Sequence, residues 1–384
     1  MFIIKNKVFY ICFYATNENK DKYVTFPSAW NKIDYIVSRI IACGCSVELL
    51  SAAKAKPGKR ARKSKHQLST DETHHYFSSI GFNGRIWNKI TQYWINLQII
   101  MYVILNAKKN DVIMTYHSLY YCFAVNVLRY IFRKKVVLQV EEVYSHTDIG
   151  AAKFKQKEEK YILSQKNYIC INELVKEEYA KQKPSVIAYG DYRLCPDYGV
   201  EIDSTKIRLV YAGVIEQQRK AAFIAVETME HLPENYELHI MGFGSEENIA
   251  ALKQKIAKTN KKVGRECAFY DGHFSGEEYF RKLQSNNIAL STHIYSSSDV
   301  DSSRYMFSSK ILSYLNNNLP VVAQRLECLE RSEVGHLLNF YEQPKPELIA
   351  QAVMNIKIND KYDFRDLLIN LDKKFVNNLK NILI

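Results

Sequence analysis

Lys310 stands directly after Ser308 and Ser309 and opens the segment KILSYLNNNLPVVA, a short helix broken by asparagines and followed by a proline-led apolar run. Serine hydroxyls at such a start can cap the first helical turn. A lysine in that turn opposes the helix dipole, and a bound anion would compensate it. A second basic pair, Arg219 and Lys220, lies in YAGVIEQQRKAAF, after a strand ending at Gly213 and at the head of the next helix. The unpaired N–H groups and positive dipole end of a helix start, joined by two cations, suit a diphosphate. A third loop, HIMGFGSEEN, carries Gly242 and Gly244, which permit a tight strand-to-helix turn and close approach of backbone to a ligand. Taken singly, each loop is explained at least as well by a solvated turn. Together the three follow successive strands at one edge of one sheet, where open α/β sheets bind ligands.

The elements that position these loops are legible as alternation. VFYICFYAT, SVELLSA, DVIMTYHS, KVVLQVEEVYSH, NYICINE and SVIAYG read as strands, with helical segments between them. Periodicity is lost in DYRLCPDYGVEIDST, near residues 191–205, and the alternation then restarts with IRLVYAG. The fold class is therefore α/β with two doubly wound, Rossmann-like domains. The expected organisation is an N-terminal domain over 1–200, a C-terminal domain over 201–362, and C-terminal helices over 363–384 that pack back on the first domain. In the first half His117 ends one strand, and Glu141 and Glu142 end the next. Groups of these types at strand ends can orient a hydroxyl, and ordinary loop residues explain them equally well.

Composition narrows the class. With 384 residues, 47% apolar, the chain is long enough for two cores and is not a disordered composition. Its eight cysteines contain no CxxC pair and no Cys/His cluster with zinc spacing, so reduced thiols in a cytosol are expected. The opening MFIIKNKVFYICFYAT reads as a first buried strand and not as a cleaved leader. The net charge of +12 is uneven: residues 1–200 hold 30 Lys+Arg against 17 Asp+Glu, and residues 201–384 hold 23 against 24. Such a field attracts phosphates of nucleic acid, of anionic lipid or of a lipid-linked diphosphate. Seven of the twelve residues from Lys54 to Lys65 are basic, which predicts a solvated loop or one lying on an anionic surface. WNKITQYWINLQIIMYVILNA, uncharged between Lys89 and Lys108, is interrupted by Thr91, Gln92, Asn96 and Gln98; a buried or membrane-grazing helix is expected, not a span.

On these residues the second half resembles a bacterial glycosyltransferase of the GT-B fold, of the large retaining family often numbered four. YAG followed by RKA puts Lys220 at the family's lysine. Gly242 and Gly244 match its GxG, and KILSYLNNNLPVVA matches its K-L-x-E-Y-x-x-x-G-x-P-V-V segment. VVLQVEEVYSH and YICINELVKEEY resemble strands of the acceptor domain in capsule and surface-polysaccharide enzymes. The chain also departs from the pattern. Tyr305 and Ser313 stand where relatives carry two glutamates separated by seven residues, Val214 stands where they carry Arg, and ATNENKDK replaces their glycine-rich loop.

The resemblance implies two Rossmann-like domains facing a cleft and a transfer with retention from a nucleotide-sugar donor. The leaving diphosphate would take the acceptor's proton on the same face, so neither a protein nucleophile nor a metal or other cofactor is expected. Lys220, Arg219 and Lys310 would supply charge to the leaving group. Gly213, Gly242, Gly244, Ser308 and Ser309 would line the donor site, with Asp299 and Asp301 as candidates for a replaced ribose contact. His117, Glu141 and Glu142 would face the acceptor, a glycan or polyprenyl-diphosphate-linked sugar, with the basic first half resting on an anionic membrane surface. The implied location is cytoplasmic, peripheral at the inner face of the membrane. Two other readings stay open: a non-catalytic GT-B binding partner, because the glutamates are missing, and a nucleic-acid-binding protein, on charge alone. No nucleic-acid partner is expected, since no reader module or basic–aromatic motif is present.

Overall fold

The computed structural model describes residues 5–16, 19–24, 29–144, 152–202, 205–217, 220–293, 305–358 and 360–384. The chain divides into two compact units, residues 1–191 with 372–384, and residues 192–371.

Unit 1 is built on an eight-stranded sheet. Its strands are β1 (Lys7–Cys12), β2 (Ser46–Ser51), β4 (Ser64–Gln67), β5 (Glu72–Tyr76), β7 (Val112–Tyr116), β8 (Lys135–Val140), β9 (Asn167–Cys170) and β10 (Ser185–Ile187). The order is β10-β9-β8-β7-β1-β2-β5-β4, parallel except where β4 pairs antiparallel with β5. The chain runs outward from β1 in both directions, so the topological switch lies between β1 and β7. KVFYIC and KVVLQV are buried along almost their whole length, as expected of parallel strands covered on both faces. Among the covering helices are α1 (Trp30–Ala42) and α2 (Arg85–Asn106). The end of the helix Arg365–Leu383 completes the unit: Tyr35 donates to Asp372 at 2.7 Å, and the Tyr35 and Phe375 rings lie 5.7 Å apart.

The stretch Lys54–Lys65 is mostly exposed, as its charge predicts, but short strands run through it. Arg60–Ala61 (β3) pairs antiparallel with Ser79–Ile80 (β6), and β4 begins at Ser64. Ala55 and Ala61 are buried beside Tyr23 and Tyr76. The physical reason is alternation: a strand turns Ala61 inward and leaves Arg60 and Arg62 exposed, so high charge and a buried position coexist.

A polar cluster inside unit 1 sets an acid limit. The Glu48 carboxylate on β2 accepts from Lys7 and Tyr102, and His75 Nε2 lies 3.1 Å from it. Burial pushes its carboxyl up, but hydrogen bonds from His75, Lys7 and Tyr102 outweigh this and hold it at about 2, against an ordinary 4.5. A depressed folded-state value stabilises fully above 4.5 and is lost as pH falls toward 2. The urea midpoint is therefore expected to fall through that window, and Glu48→Gln should flatten that limb while lowering the neutral-pH midpoint. An equally steep acid limb in the variant would remove Glu48 from the account.

Unit 2 carries a six-stranded parallel sheet: β11 (Ile207–Val214), β12 (Tyr236–Phe243), β13 (Ala268–Gly272), β14 (Ile288–Ser291), β15 (Val321–Gln324) and β16 (Leu338–Tyr341). Its order, β13-β12-β11-β14-β15-β16, is that of a dinucleotide-binding sheet, with the switch between β11 and β14. Between the strands run α3 to α9: Cys122–Asn126, Ala152–Ser164 and Glu173–Tyr179 in unit 1, then Ala221–Thr228 (α6), Glu246–Val263, Gly276–Gln284 and Lys310–Asn316 (α9) in unit 2. The α6 sequence AAFIAVET is apolar all round and mostly buried, at the centre of a core that includes Leu238, Ile256 and Ile349. Both units are Rossmann-like, as the alternation predicts.

Candidate functional site

The carboxyl edge of the unit 2 sheet is shaped by three glycines. Gly213 and Gly242 face each other across β11 and β12. Gly242 has φ +153°, and a Cβ there would lie 1.8 Å from the Gly213 carbonyl oxygen. On Gly244 a Cβ would lie 2.5 Å from the Ile215 carbonyl oxygen, and on Gly213 one would lie 2.7 Å from Lys310 Nζ. The first two glycines let backbone meet backbone; Gly213 lets a cation cross it.

Lys310 is half-buried, with Nζ 4.5 Å from the centroid of the Tyr211 ring and 3.5 Å from its hydroxyl. Tyr211 and Gly213 are two residues apart on one strand and therefore share a face, over which the lysine lies. α9 is pinned to β11 by Tyr314, fully buried, whose hydroxyl accepts from the Ala212 amide at 2.9 Å. Burial raises the Tyr314 phenol well above its ordinary value, so it stays a hydroxyl. Tyr314 follows Lys310 by four residues and so stands on the same side of the helix.

Ser309 occupies the N-cap position of α9 but makes no side-chain cap, contrary to expectation. Its φ and ψ are helical, −59° and −19°, and the Ser308 carbonyl receives the Ile311 amide at 3.0 Å instead. Ser308 is half-buried and Ser309 exposed. Lys220 is exposed at the N-cap of α6 in the left-handed region, φ 49° and ψ 14°. The buried Thr292, just past β14, donates to the Ala221 carbonyl at 2.7 Å and ties the two sides of the switch together. Arg219, Asp299 and Asp301 lie outside the described residues.

In unit 1, His117 and Glu141 follow the ends of the neighbouring strands β7 and β8, and both are engaged. His117 Nδ1 donates to the Glu142 carbonyl at 2.9 Å, and Nε2 lies 3.0 Å from a Glu158 carboxylate oxygen. Glu141 is paired with Lys32 at 2.6 Å and accepts from Gln139 at 2.6 Å. Lys32 also donates to the Ala188 carbonyl at 2.7 Å. Glu142 is exposed and contributes its backbone oxygen. These contacts link the ends of β7 and β8 to α1, to the helix Ala152–Ser164 and to the segment after β10. Among the described residues no group of three His, Cys, Asp or Glu side chains could hold a metal ion.

Sequence reasoning missed Tyr211, Tyr314 and Thr292. The signal for the two tyrosines was present as spacing: two before the strand-ending glycine, and four after the helix-opening lysine.

The two parallel-sheet units define the GT-B fold, and solved structures match along nearly the full chain. One is titled trehalose-6-phosphate from E. coli bound with UDP-2-fluoro glucose: 8% identity, 98% of this chain and 99% of that one, TM-score 0.66. Another is the UDP-forming alpha,alpha-trehalose-phosphate synthase of Burkholderia vietnamiensis, with 8% identity, 98% and 97% coverage and TM-score 0.67. A glycosyltransferase from Rickettsia africae ESF-5 matches with 12% identity, 99% and 97% coverage and TM-score 0.59. No protein-family model and no curated protein matches the chain.

Proposed function

We propose that this chain is a glycosyltransferase that moves a sugar from a nucleotide-sugar donor to a glycan acceptor with retention, in surface polysaccharide or glycolipid assembly. The observation that carries the reading is Lys310 crossing Gly213 beside the Gly213–Gly242 close approach, at the switch point of the unit 2 sheet. A cation held there, with bare backbone around it, meets the need of a transfer whose leaving group is a diphosphate. Lys220 at the head of α6 and Arg219 before it are the further cations proposed to share that charge. The donor binds along Gly213, Gly242, Gly244, Ser308 and Ser309. Same-face departure of the diphosphate lets it accept the incoming hydroxyl's proton, so the protein's share is positioning and charge. Matches titled with UDP-2-fluoro glucose and as UDP-forming support a uridine nucleotide as the first donor to try. A polyprenyl-diphosphate-linked acceptor at the cytoplasmic membrane face is supported by the basic excess of residues 1–200.

The alternative, a GT-B protein that binds without turnover, is favoured by Tyr305 and Ser313 at the positions of the paired glutamates. Thermal stability against UDP, GDP, ADP and CMP tests the donor site. Saturation at about a hundred times Kd stabilises by about 2.7 kcal/mol, a clear rise in Tm. A shift with one nucleotide and transfer of its sugar support the proposal. A shift without turnover moves the chain to the binding reading, and no shift with any of the four removes the donor site.

A further inference from the structure

The helix α2 turns an apolar stripe to solvent. Ile86, Ile90, Trp94, Leu97, Met101 and Leu105 are spaced by three or four residues and so share one face. All are exposed, Ile86 and Leu105 by 74% and 75%. The opposite face, through Ile95, Ile99 and Val103, packs inward. An exposed apolar run of this length is rare on a soluble surface and marks an interaction site. Yet no helix of the described residues is long and apolar enough to cross a membrane.

Beside the start of the stripe lies a groove of about 390 Å³ lined by cations and apolar side chains together. Arg60, Arg62 and Lys63 line it, as do Ile80, Phe82 and Trp94, and Arg60 pairs with Ile80 across the β3–β6 ribbon. Trp94 belongs to both groove and stripe, and its indole N–H approaches Ser78 Oγ at 3.4 Å. Phe82 extends the aromatic ledge by packing against Trp87, ring centroids 5.0 Å apart. Arg60, Arg62 and Lys63 are exposed, and among the described residues none of them has an ion-pair partner. Their pairing into β3 and the turn before β4 holds them on the groove's rim.

We propose that this face of unit 1 is a bilayer-docking site: the α2 stripe enters the headgroup–acyl boundary of a membrane leaflet, and the groove takes the phosphate of an anionic phospholipid. Charge complementarity selects the occupant. A protein partner or a second copy of this chain would have to bring its own acids to three cations that lack them, whereas an anionic leaflet presents phosphates beside acyl chains by construction. The geometry is that of an amphipathic helix lying in the interface plane, with apolar residues inward and cations at headgroup depth. The inference deepens the lipid-linked acceptor reading by naming where the membrane lies, but its residues are separate from the donor site.

The test is co-sedimentation of the full chain with phosphatidylcholine vesicles, with and without phosphatidylglycerol, and no nucleotide, so a failed donor site leaves the result readable. Binding is expected to rise at least ~10-fold with phosphatidylglycerol and to blue-shift tryptophan emission. Ile90→Asp with Leu97→Asp, both exposed and so tolerable to the fold, should abolish binding to either vesicle. Arg60→Ser with Arg62→Ser should remove only the phosphatidylglycerol preference. Binding that survives in the stripe variant and vanishes with salt would be adsorption by charge alone and overturns the proposal. So would a stable dimer that the stripe variant converts to monomer, with no vesicle binding.

Discussion

Gly242→Ala is expected to lower the stability of unit 2 by roughly 3 kcal/mol or more, enough to unfold it at moderate temperature. The added Cβ would lie 1.8 Å from the Gly213 carbonyl oxygen, where no side chain can give way. The backbone value of φ +153° adds strain for any residue with a Cβ. Relief requires β11 and β12 to separate at their carboxyl ends. That breaks the pairing of Ile215 with Phe243, whose amide–carbonyl distance is 2.8 Å. Differential scanning calorimetry reads the loss. A variant within about 0.5 kcal/mol of the parent, the ordinary surface range, would mean that the close approach is not a constraint.

Lys310→Ala is expected to weaken nucleoside diphosphate binding by roughly 10- to 100-fold, the range for removing one hydrogen bond to a charged partner. Stability should move less, since the contact of Lys310 with the Tyr211 ring is worth about 0.5–1 kcal/mol. Isothermal titration with the best nucleotide of the panel separates the two effects. Lys310→Arg should recover only part of the affinity, since the passage over Gly213 is narrow: Lys310 Nζ already sits 2.7 Å from where a Gly213 Cβ would be. Unchanged affinity in the alanine variant would remove Lys310 from the donor site.

Both predictions rest on residues the sequence singled out, and the reasons differ. Gly213, Gly242 and Lys310 were legible because each breaks a local expectation at an element boundary. The two sheets were legible for the opposite reason: runs such as KVVLQV have only one comfortable state, a strand buried on both faces. What could not be read were pairings across long separations. Glu141 lies 109 residues from its partner Lys32, and His117 reaches a helix 41 residues on; no local pattern records either. α2 was ambiguous for another reason. With both faces apolar, composition shows that something must be covered but not which stripe the fold itself covers. The basic stretch was legible in part: its charge gave the exposure of Arg60 and Arg62, but charge counted without its phase missed that Ala61 falls on the inward beat.

All eight cysteines are buried thiols, and this gives the chain a built-in clock. Five, at Cys12, Cys43, Cys45, Cys122 and Cys170, belong to unit 1; three, at Cys195, Cys267 and Cys328, belong to unit 2. Burial pushes Cys43 up to about 11 and Cys170 up to about 12, so neither reacts as a thiolate while its surroundings stay closed. Alkylation must then wait for local opening, and the rate at each thiol reports how often its neighbourhood breathes. The two units can thus be timed separately in one native protein, without an added label, and a ligand that closes either unit will slow its own set of thiols and leave the other set running.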